Sequence, residues 1–282
     1  MKSFFFLLFS VFTYFGTAAA VLTYVGSTPA HPVVRDFLQI SLTDSIDFIR
    51  WKLEIDAGSF KLQCQYGLAQ PGTPGFSNEQ SVAFDGQLTR SNNFSHLKHN
   101  GKKISMVEVN PNVLHFLDHA DQMLIGNGGY SYALNSIHPV QMGGFNIRAV
   151  GTRVESPLVF EGRTPCQELS ALLGLEKSAA CNKMKWYFIF YTDSVTGHPS
   201  YFLMNGIGHR KETMARGNWQ IVTGQNGRIV YQLSSDKWTH ALNLLKGDDN
   251  ILFFIGANEQ LLVGNEDFSY TLNRRKEAYP RQ

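Results

Sequence analysis

Apolar and polar residues alternate over short segments along most of the chain, as expected for strands that bury one face. In the segment 49–56, Trp51, Leu53 and Ile55 fall on one face and charged residues fall on the other. Turn residues separate further strands of this kind, about eight in each half. In the first half they follow at residues 59–66, 82–88, 94–98, 104–109, 113–117, 122–125 and 130–134. In the second half they lie at residues 184–190, 200–204, 219–223, 229–233, 241–246, 251–255, 260–263 and 268–272.

Many short strands at even spacing, with little helix between them, predict an all-β fold. In the last predicted strand of each half, large residues such as Tyr132 and Tyr270 share one face with a leucine. An eight-stranded barrel can be filled by such side chains or can hold one small ligand. The sequence therefore predicts two tandem antiparallel β-barrels of about eight strands each.

A short helix is predicted near the start of each half. Thr28-Pro29 and Thr164-Pro165 are helix-start signals, because a threonine oxygen can cap free amide groups and proline is tolerated in the first turn. The strand at 184–190 differs from its counterpart at 49–56, since Tyr187 and Ile189 occupy its outer face. We expect this outer face to be covered by the neighbouring domain.

The two halves are copies of one another. Residues 112–135 return without a gap as residues 250–273, and eleven of the 24 positions are identical. A repeat at such a long offset indicates duplication of a whole domain. The predicted organisation is a signal peptide at 1–20, a first repeat at 21–135, a linker at 136–158, a second repeat at 159–275 and a tail at 276–282.

The first 20 residues have the pattern of a secretory signal. Lys2 supplies the positive end, residues 4–15 form an almost unbroken apolar run, and residues 18–20 are small enough for cleavage. The run is shorter than the roughly 20 residues of a spanning helix, which favours cleavage over a retained anchor. No cysteine follows the run, which argues against a lipid-modified terminus. We expect secretion, with no membrane span in the mature chain.

Charge and motifs exclude several function classes. The formal net charge of +2 provides no electrostatic footprint for nucleic acid. The chain has no CxxC pair and no HExxH motif. Residues 206–211 resemble half of a phosphate-binding loop, but no helix is predicted after them. Residues 129–133 resemble a nucleophile elbow around Ser131, yet this serine falls inside a predicted strand. We therefore expect no catalytic residues, no cofactor and no enzymatic activity.

Histidines of the first half are the candidate metal ligands, namely His96, His99, His115 and His119. The last two align with Phe253 and Ala257, so the repeat does not share them. Scattered loop and strand-edge histidines are the favoured interpretation, and no metal site is predicted.

The cysteines are distributed unequally between the copies. Cys166 and Cys181 align with Ala30 and Ile46, so both are missing from the first copy. Their joint absence is expected if they bond to each other in an oxidising compartment, although two free thiols are the alternative. Such a bond would stabilise the fold by roughly 3 kcal/mol in the chain-entropy model. Cys64 is predicted to be a small buried apolar side chain.

The second half resembles a known family. Gly162-Arg-Thr-Pro-Cys166, the strand from Trp186 to Thr192, Tyr201–Met204 and Gly217-Asn-Trp219 resemble the N-terminal β-barrel domain of the NlpE-like copper-resistance lipoproteins. In the first half only Gly-x-Thr-Pro and the order of elements are similar. The resemblance implies a lipocalin-like barrel in the periplasm of a Gram-negative bacterium, with links to copper tolerance and envelope-stress signalling. The family's second cysteine corresponds to Leu169 here.

The leading functional hypothesis is a secreted cell-envelope protein of NlpE-like type that acts without catalysis. It would bind a small apolar ligand or an envelope protein. The alternative is copper or redox sensing, linked to envelope stress, through the second half. The identity of the ligand or partner and the oligomeric state do not follow from the sequence.

Overall fold

The computed structural model describes residues 21–141, 144–147, 156–174, 181–205, 214–224, 227–256 and 258–275. The predicted signal peptide, the segment 206–211, part of the linker and the tail at 276–282 lie outside these residues. Within them the chain is mostly β and forms two closed antiparallel barrels of eight strands each. The predicted fold class is confirmed.

Each barrel is an up-and-down meander in which every strand pairs with the next and the last pairs with the first. The first barrel contains β1 (Leu22–Thr28), β2 (Phe48–Asp56), β3 (Ser59–Gly67), β4 (Gln80–Ser91), β5 (Phe94–His99), β6 (Lys102–Asn110), β7 (Val113–Leu117) and β8 (Ala133–Ser136). The second contains β9 (Leu158–Thr164), β10 (Met184–Thr192), β11 (Pro199–Asn205), β12 (Ala215–Thr223), β13 (Ile229–Ser234), β14 (Leu242–Lys246), β15 (Ile251–Ile255) and β16 (Thr271–Arg274). Helix α1 (Pro32–Leu38) follows β1, and helix α2 (Gln167–Leu172) follows β9.

The prediction of strands at 122–125 and 260–263 is wrong. Each segment makes only one isolated bridge, from Met123 to Leu117 and from Leu261 to Ile255. A strand edge accepts one neighbour, and β8 and β16 already occupy the free edges of β7 and β15. The eighth strand of each barrel is instead β1 or β9, which the sequence interpretation treated only as a motif.

The threonines of the two Thr-Pro pairs do not cap helices, so this prediction is also wrong. Helix α1 starts later, at Pro32, and its N-cap is His31, whose Nδ1 accepts a hydrogen bond from the amide of Val33. Thr28 and Thr164 instead end β1 and β9. In each barrel the threonine hydroxyl accepts a 2.9 Å hydrogen bond from the indole N–H of the strand tryptophan, Trp51 or Trp186.

The glycines before these threonines allow the barrels to close. A Cβ on Gly26 would lie 2.7 Å from the carbonyl oxygen of Ala133, and one on Gly162 would lie 2.7 Å from that of Thr271. Those oxygens belong to β8 and β16, the strands that complete each barrel. The Gly-x-Thr-Pro motif shared by both halves therefore serves closure and anchoring of the buried tryptophan.

We expect Thr28→Val to lower the free energy of unfolding by about 1–3 kcal/mol, because valine leaves the buried indole N–H of Trp51 without an acceptor. Chemical denaturation monitored by circular dichroism would measure the loss. Thr89→Val is the matched control, because Thr89 is an exposed strand residue. Equal stability of the two variants would contradict the anchoring role of Thr28.

Side chains fill the interiors of both barrels. Phe188, Phe190 and Phe202 of the second barrel are fully buried and lie in ring contact with one another. In the first barrel, Trp51 packs on Phe116 with 4.7 Å between ring centroids. Eight-stranded barrels are narrow enough for such side chains to occupy the whole interior.

The apolar cluster between the barrels does not include the outer face of β10, which was expected to be covered by the neighbouring domain. Tyr187 and Ile189 are half-buried, and neither belongs to the apolar cluster that joins the two barrels. That cluster takes its second-barrel residues from other parts of the sheet. The second barrel therefore contacts the first through a different face, described next.

Candidate functional site

The two barrels share an apolar interface. Its residues lie on the outer faces of β6 to β8 in the first barrel and of β13 to β15 in the second, together with residues from the adjoining loops. They are Val107, Val109, Val113, Leu117, Met123, Ala133, Ile147, Val230, Leu245, Ile251, Phe253, Ile255 and Leu261. Strands β7 and β15 are consequently buried on both faces.

Reciprocal hydrogen bonds cross this interface. The amide of Gly126 donates to Oδ1 of Asn273 at 2.7 Å, and the amide of Gly264 donates to Oδ1 of Asn135 at 2.9 Å. Gly264 and Asn273 are the repeat counterparts of Gly126 and Asn135. Exchange of equivalent contacts is the property of an isologous two-fold interface, here formed inside one chain.

Several residues contact their own repeat counterparts, which places them at the pseudo-two-fold axis. The hydroxyls of Ser131 and Ser269 lie 2.5 Å apart. The rings of Tyr130 and Phe268 are parallel, with centroids 6.0 Å apart. The repeated segment is thus similar in both halves because both copies build one interface. Ser131 has this structural role, and its resemblance to a catalytic serine is explained without chemistry.

His115 lies at the same interface and differs from its counterpart. Its imidazole is fully buried and meets the ring of Phe253 edge to face at 6.0 Å. Nδ1 lies 2.9 Å from the carbonyl oxygen of Phe116, while Nε2 is buried without a hydrogen-bond partner. Burial lowers the pKa of His115 to about 4, although the Phe116 carbonyl acts in the opposite direction.

A groove opens along one side of the interface, with a cavity volume of about 600 Å³. We call it the inter-barrel groove. From the first barrel it is lined by Gly72, Thr73, Pro74 and Tyr130. From the second it is lined by Pro165, Cys166, Gln167, Glu168, Cys181, Asn182, Lys183, Val263, Gly264, Asn265, Asp267 and Phe268. Both repeats are needed to form it.

A row of stacked aromatic rings crosses beneath this groove from one barrel to the other. Phe76 stacks on Phe48 at 4.2 Å, and Phe48 stacks on Tyr130 at 4.7 Å. Tyr130 then stacks on Phe268 of the second barrel, over which the ammonium of Lys183 lies at 5.7 Å. The row gives the groove a rigid floor, since aromatic pairs in offset geometry stabilise each other beyond their area burial.

Three cations lie at the second-barrel edge of the groove, whose lining also contains Glu168 and Asp267. Lys183 and Lys185 are exposed, and Arg163 is paired with Lys185 across β9 and β10. The structure gives these three side chains no carboxylate within salt-bridge distance among the described residues. Arg50 differs, because it forms a 2.6 Å salt bridge with Asp267 across the interface. Partial burial, with Arg163 and Lys185 nearby, lowers the pKa of Lys183.

The predicted disulfide forms the far wall of the groove. Cys166 and Cys181 are bonded, with their Cα atoms 6.1 Å apart, and tie the start of α2 to the residues before β10. Glu168 of α2 also accepts a hydrogen bond from the hydroxyl of Tyr270. Burial, together with this carboxylate, raises the pKa of Tyr270. These two links hold the helix over the mouth of the second barrel.

The four candidate histidines are not brought together. His96 bonds Ser105, His99 stacks on Phe84, His115 lies at the interface and His119 lies beside α1. Among the described residues, no group of three or more histidine, cysteine or acidic side chains could hold a metal ion. Cys64 is buried and unbonded, as predicted, and burial raises the pKa of its thiol.

Sequence interpretation missed the inter-barrel groove and the residues that form it. One signal was present. The segment Ile251–Ile255 is apolar without interruption, which is typical of a strand buried on both faces. Its counterpart Val113–Leu117 is interrupted only by His115. These two runs indicate the covered faces, but nothing in the sequence gives the angle between the barrels or the space left beside them.

Comparison of the chain with protein-family models, with curated proteins and with solved structures gives no match. None of the helices in the described part of the chain has the length and apolar character required to cross a bilayer.

Proposed function

We propose that this protein is a secreted, non-enzymatic binding protein of the cell envelope whose binding site is the inter-barrel groove. The observation that carries the proposal is the contrast between filled barrel interiors and a groove that both barrels line. A volume of about 600 Å³ falls within the range of ligand-binding clefts, roughly 300–1,000 Å³.

The groove also has the composition of a recognition site. Binding clefts combine apolar surface with a few placed polar groups. Here Tyr130 and Phe268 supply the rings, while Gln167, Asn182 and Lys183 supply amide and ammonium groups. The floor is rigid because stacked rings and the cross-barrel hydrogen bonds hold it. A rigid site loses little conformational entropy when its partner binds.

Duplication has a clear role in this proposal. A single barrel presents only one wall of the groove, so binding requires both repeats in the observed arrangement. The first repeat is then a component of the site, contributing Thr73, Pro74 and Tyr130, and not only a spacer that positions the second.

Site-specific photo-crosslinking in the cells that make the protein tests this function. We expect a crosslinkable residue at Thr73, inside the groove, to capture a partner or ligand. The same residue at Lys61, an exposed position on β3 outside the groove lining, is the matched control. Capture from Lys61 at the same level, or no capture from Thr73, would reject the groove as the binding site.

Copper or redox sensing is the second candidate. The disulfide favours a redox role over a copper role, because bonded Cys166 and Cys181 offer no thiolate to a metal ion. Titration of the purified protein with copper, before and after reduction, tests the copper role. A tight site in the oxidised protein would support copper handling, and its absence in both forms would remove it.

A further inference from the structure

We infer that the inter-barrel groove recognises an acidic peptide segment of a partner protein, bound in extended conformation. This inference rests on the proposed function and specifies the partner's chemistry. The observations behind it are the cations at one edge of the groove, their spacing and the aromatic floor beside them.

The first observation is a cluster of positive charge at one edge of the groove, where Lys183 lines the groove and Arg163 and Lys185 lie next to Lys183. The carboxylates of the lining are already engaged, since Glu168 accepts a hydrogen bond from Tyr270 and Asp267 is paired with Arg50. In the described part of the chain, no carboxylate comes within salt-bridge distance of Arg163, Lys183 or Lys185. Burial is the main cause of the lowered pKa of Lys183, the two neighbouring cations are the next, and the attraction of Asp267 opposes them with a smaller effect. Mutual repulsion of this kind is relieved when an anion binds, so the unliganded edge is complementary to negative charge.

The whole chain is not strongly positive, since its formal net charge is only +2. The attraction is therefore local to the groove. Charge complementarity confined to one edge selects a partner and orients it, and it weakens as salt concentration rises.

The second observation is the spacing of the cations. Lys183 directly precedes β10 and Lys185 is its second residue, so the two are alternate residues, and both side chains are exposed. Alternate residues of an extended chain lie about 7 Å apart on one face. Carboxylates on alternate residues of an extended peptide have the same spacing. A compact anion such as phosphate would reach only one of the two ammonium groups at hydrogen-bond distance.

The third observation is the position of the rings. Lys183 lies over Phe268, which stacks on Tyr130 in the groove floor. The hydroxyl of Tyr130 is near Arg163, whose positive charge opposes the effect of burial on the tyrosine pKa. A peptide whose carboxylates contact the cations would extend over these rings and cover them. Charge and apolar contact are thus offered on the same side of the site.

The test is the affinity of the full chain for a fluorescein-labelled hexapeptide of alternating glutamate and serine, measured by fluorescence anisotropy at low salt. We expect binding that Lys183→Glu weakens by about fivefold or more, because the substitution replaces attraction by repulsion. Lys98→Glu is the matched control, since it makes the same charge change at an exposed strand position outside the groove lining. Lys183→Gln should give a smaller loss, and circular dichroism should show that all three variants are folded.

Three outcomes would overturn the inference. The first is equal binding of a peptide with glutamine in place of glutamate. The second is an equal loss of affinity in Lys98→Glu and Lys183→Glu. The third is displacement of the peptide by inorganic phosphate as effectively as by unlabelled peptide, which would identify a compact-anion site. If capture from Thr73 persists in any of these cases, the groove remains the binding site and only the acidic-peptide assignment fails.

Discussion

Replacing both Asn135 and Asn273 by alanine is expected to lower the free energy of unfolding by about 4 kcal/mol and to separate the unfolding of the two barrels. Each asparagine is about 1 % exposed, and each accepts a hydrogen bond from a glycine amide of the opposite barrel. Alanine would leave the half-buried amides of Gly126 and Gly264 without these acceptors. Each such loss costs about 1–3 kcal/mol.

Chemical denaturation monitored by tryptophan fluorescence can follow both barrels, since Trp51 lies in the first and Trp186 in the second. Asn243→Ala is the control, because Asn243 accepts a side-chain hydrogen bond within the second barrel only. The single variants, combined with the double variant, measure how strongly the two reciprocal bonds depend on each other. A double variant as stable as the Asn243 control would show that these bonds do not hold the barrels together.

His115→Phe is expected to remove an acid sensitivity of about 3 kcal/mol from the folded protein. Burial lowers the pKa of His115 from 6.5 to about 4, and this difference corresponds to about 3 kcal/mol. Above pH 6.5 both folded and unfolded chains carry a neutral imidazole, so the residue contributes no pH dependence. As the pH falls from 6.5 to about 4, the unfolded chain binds a proton that the folded chain excludes, and stability is lost.

The surroundings of His115 agree with a lowered pKa and a loss of stability in acid. In the sheet it lies between Val107 and Ala133, and across the interface it meets Phe253. These neighbours carry no charge that could stabilise an imidazolium. Phenylalanine is the natural replacement, because Phe253 occupies the equivalent position in the second barrel. It also removes the unpaired Nε2.

Free energies of unfolding near neutral pH and at about pH 4 provide the measurement. The native protein should lose about 3 kcal/mol more than His115→Phe over this interval. His240→Phe, at an exposed position, should behave as the native protein does. If the phenylalanine ring overpacks the interface, His115→Leu offers a smaller apolar replacement for the same comparison. An acid sensitivity retained in both apolar variants would assign it to other groups.

The pH dependence and the asparagine pair concern the same contact. Protonation of His115 or loss of the asparagine bonds would weaken this contact and open the groove, since its two walls belong to different barrels. Peptide binding should therefore weaken in the double alanine variant, although none of the substituted side chains lines the groove.

The sequence by itself was sufficient to predict most of the strands and their order along the chain. Short apolar runs bounded by turn residues predict strands such as Val113–Leu117 and Ile251–Ile255, which have these bounds in the structure. The joint absence of Cys166 and Cys181 from the first half predicts their disulfide. Such features depend on neighbouring residues, or on comparison of one repeat with the other. The missed strands β1 and β9 have short, interrupted alternation, and their place in the barrel depends on closure with β8 and β16.

Only the tertiary structure decided which outer faces meet. The tyrosine-bearing face of β10 and the apolar outer face of β15 both suggest covering, but the barrels pack through β15. A site such as the inter-barrel groove joins Tyr130 to Lys183, and its shape depends on the relative placement of two closed bodies. The repeated segment was visible as a pattern. Only the coordinates show that this segment forms a pseudo-two-fold contact between the copies. A sequence alignment pairs Ser131 with Ser269 as equivalents without showing that they touch.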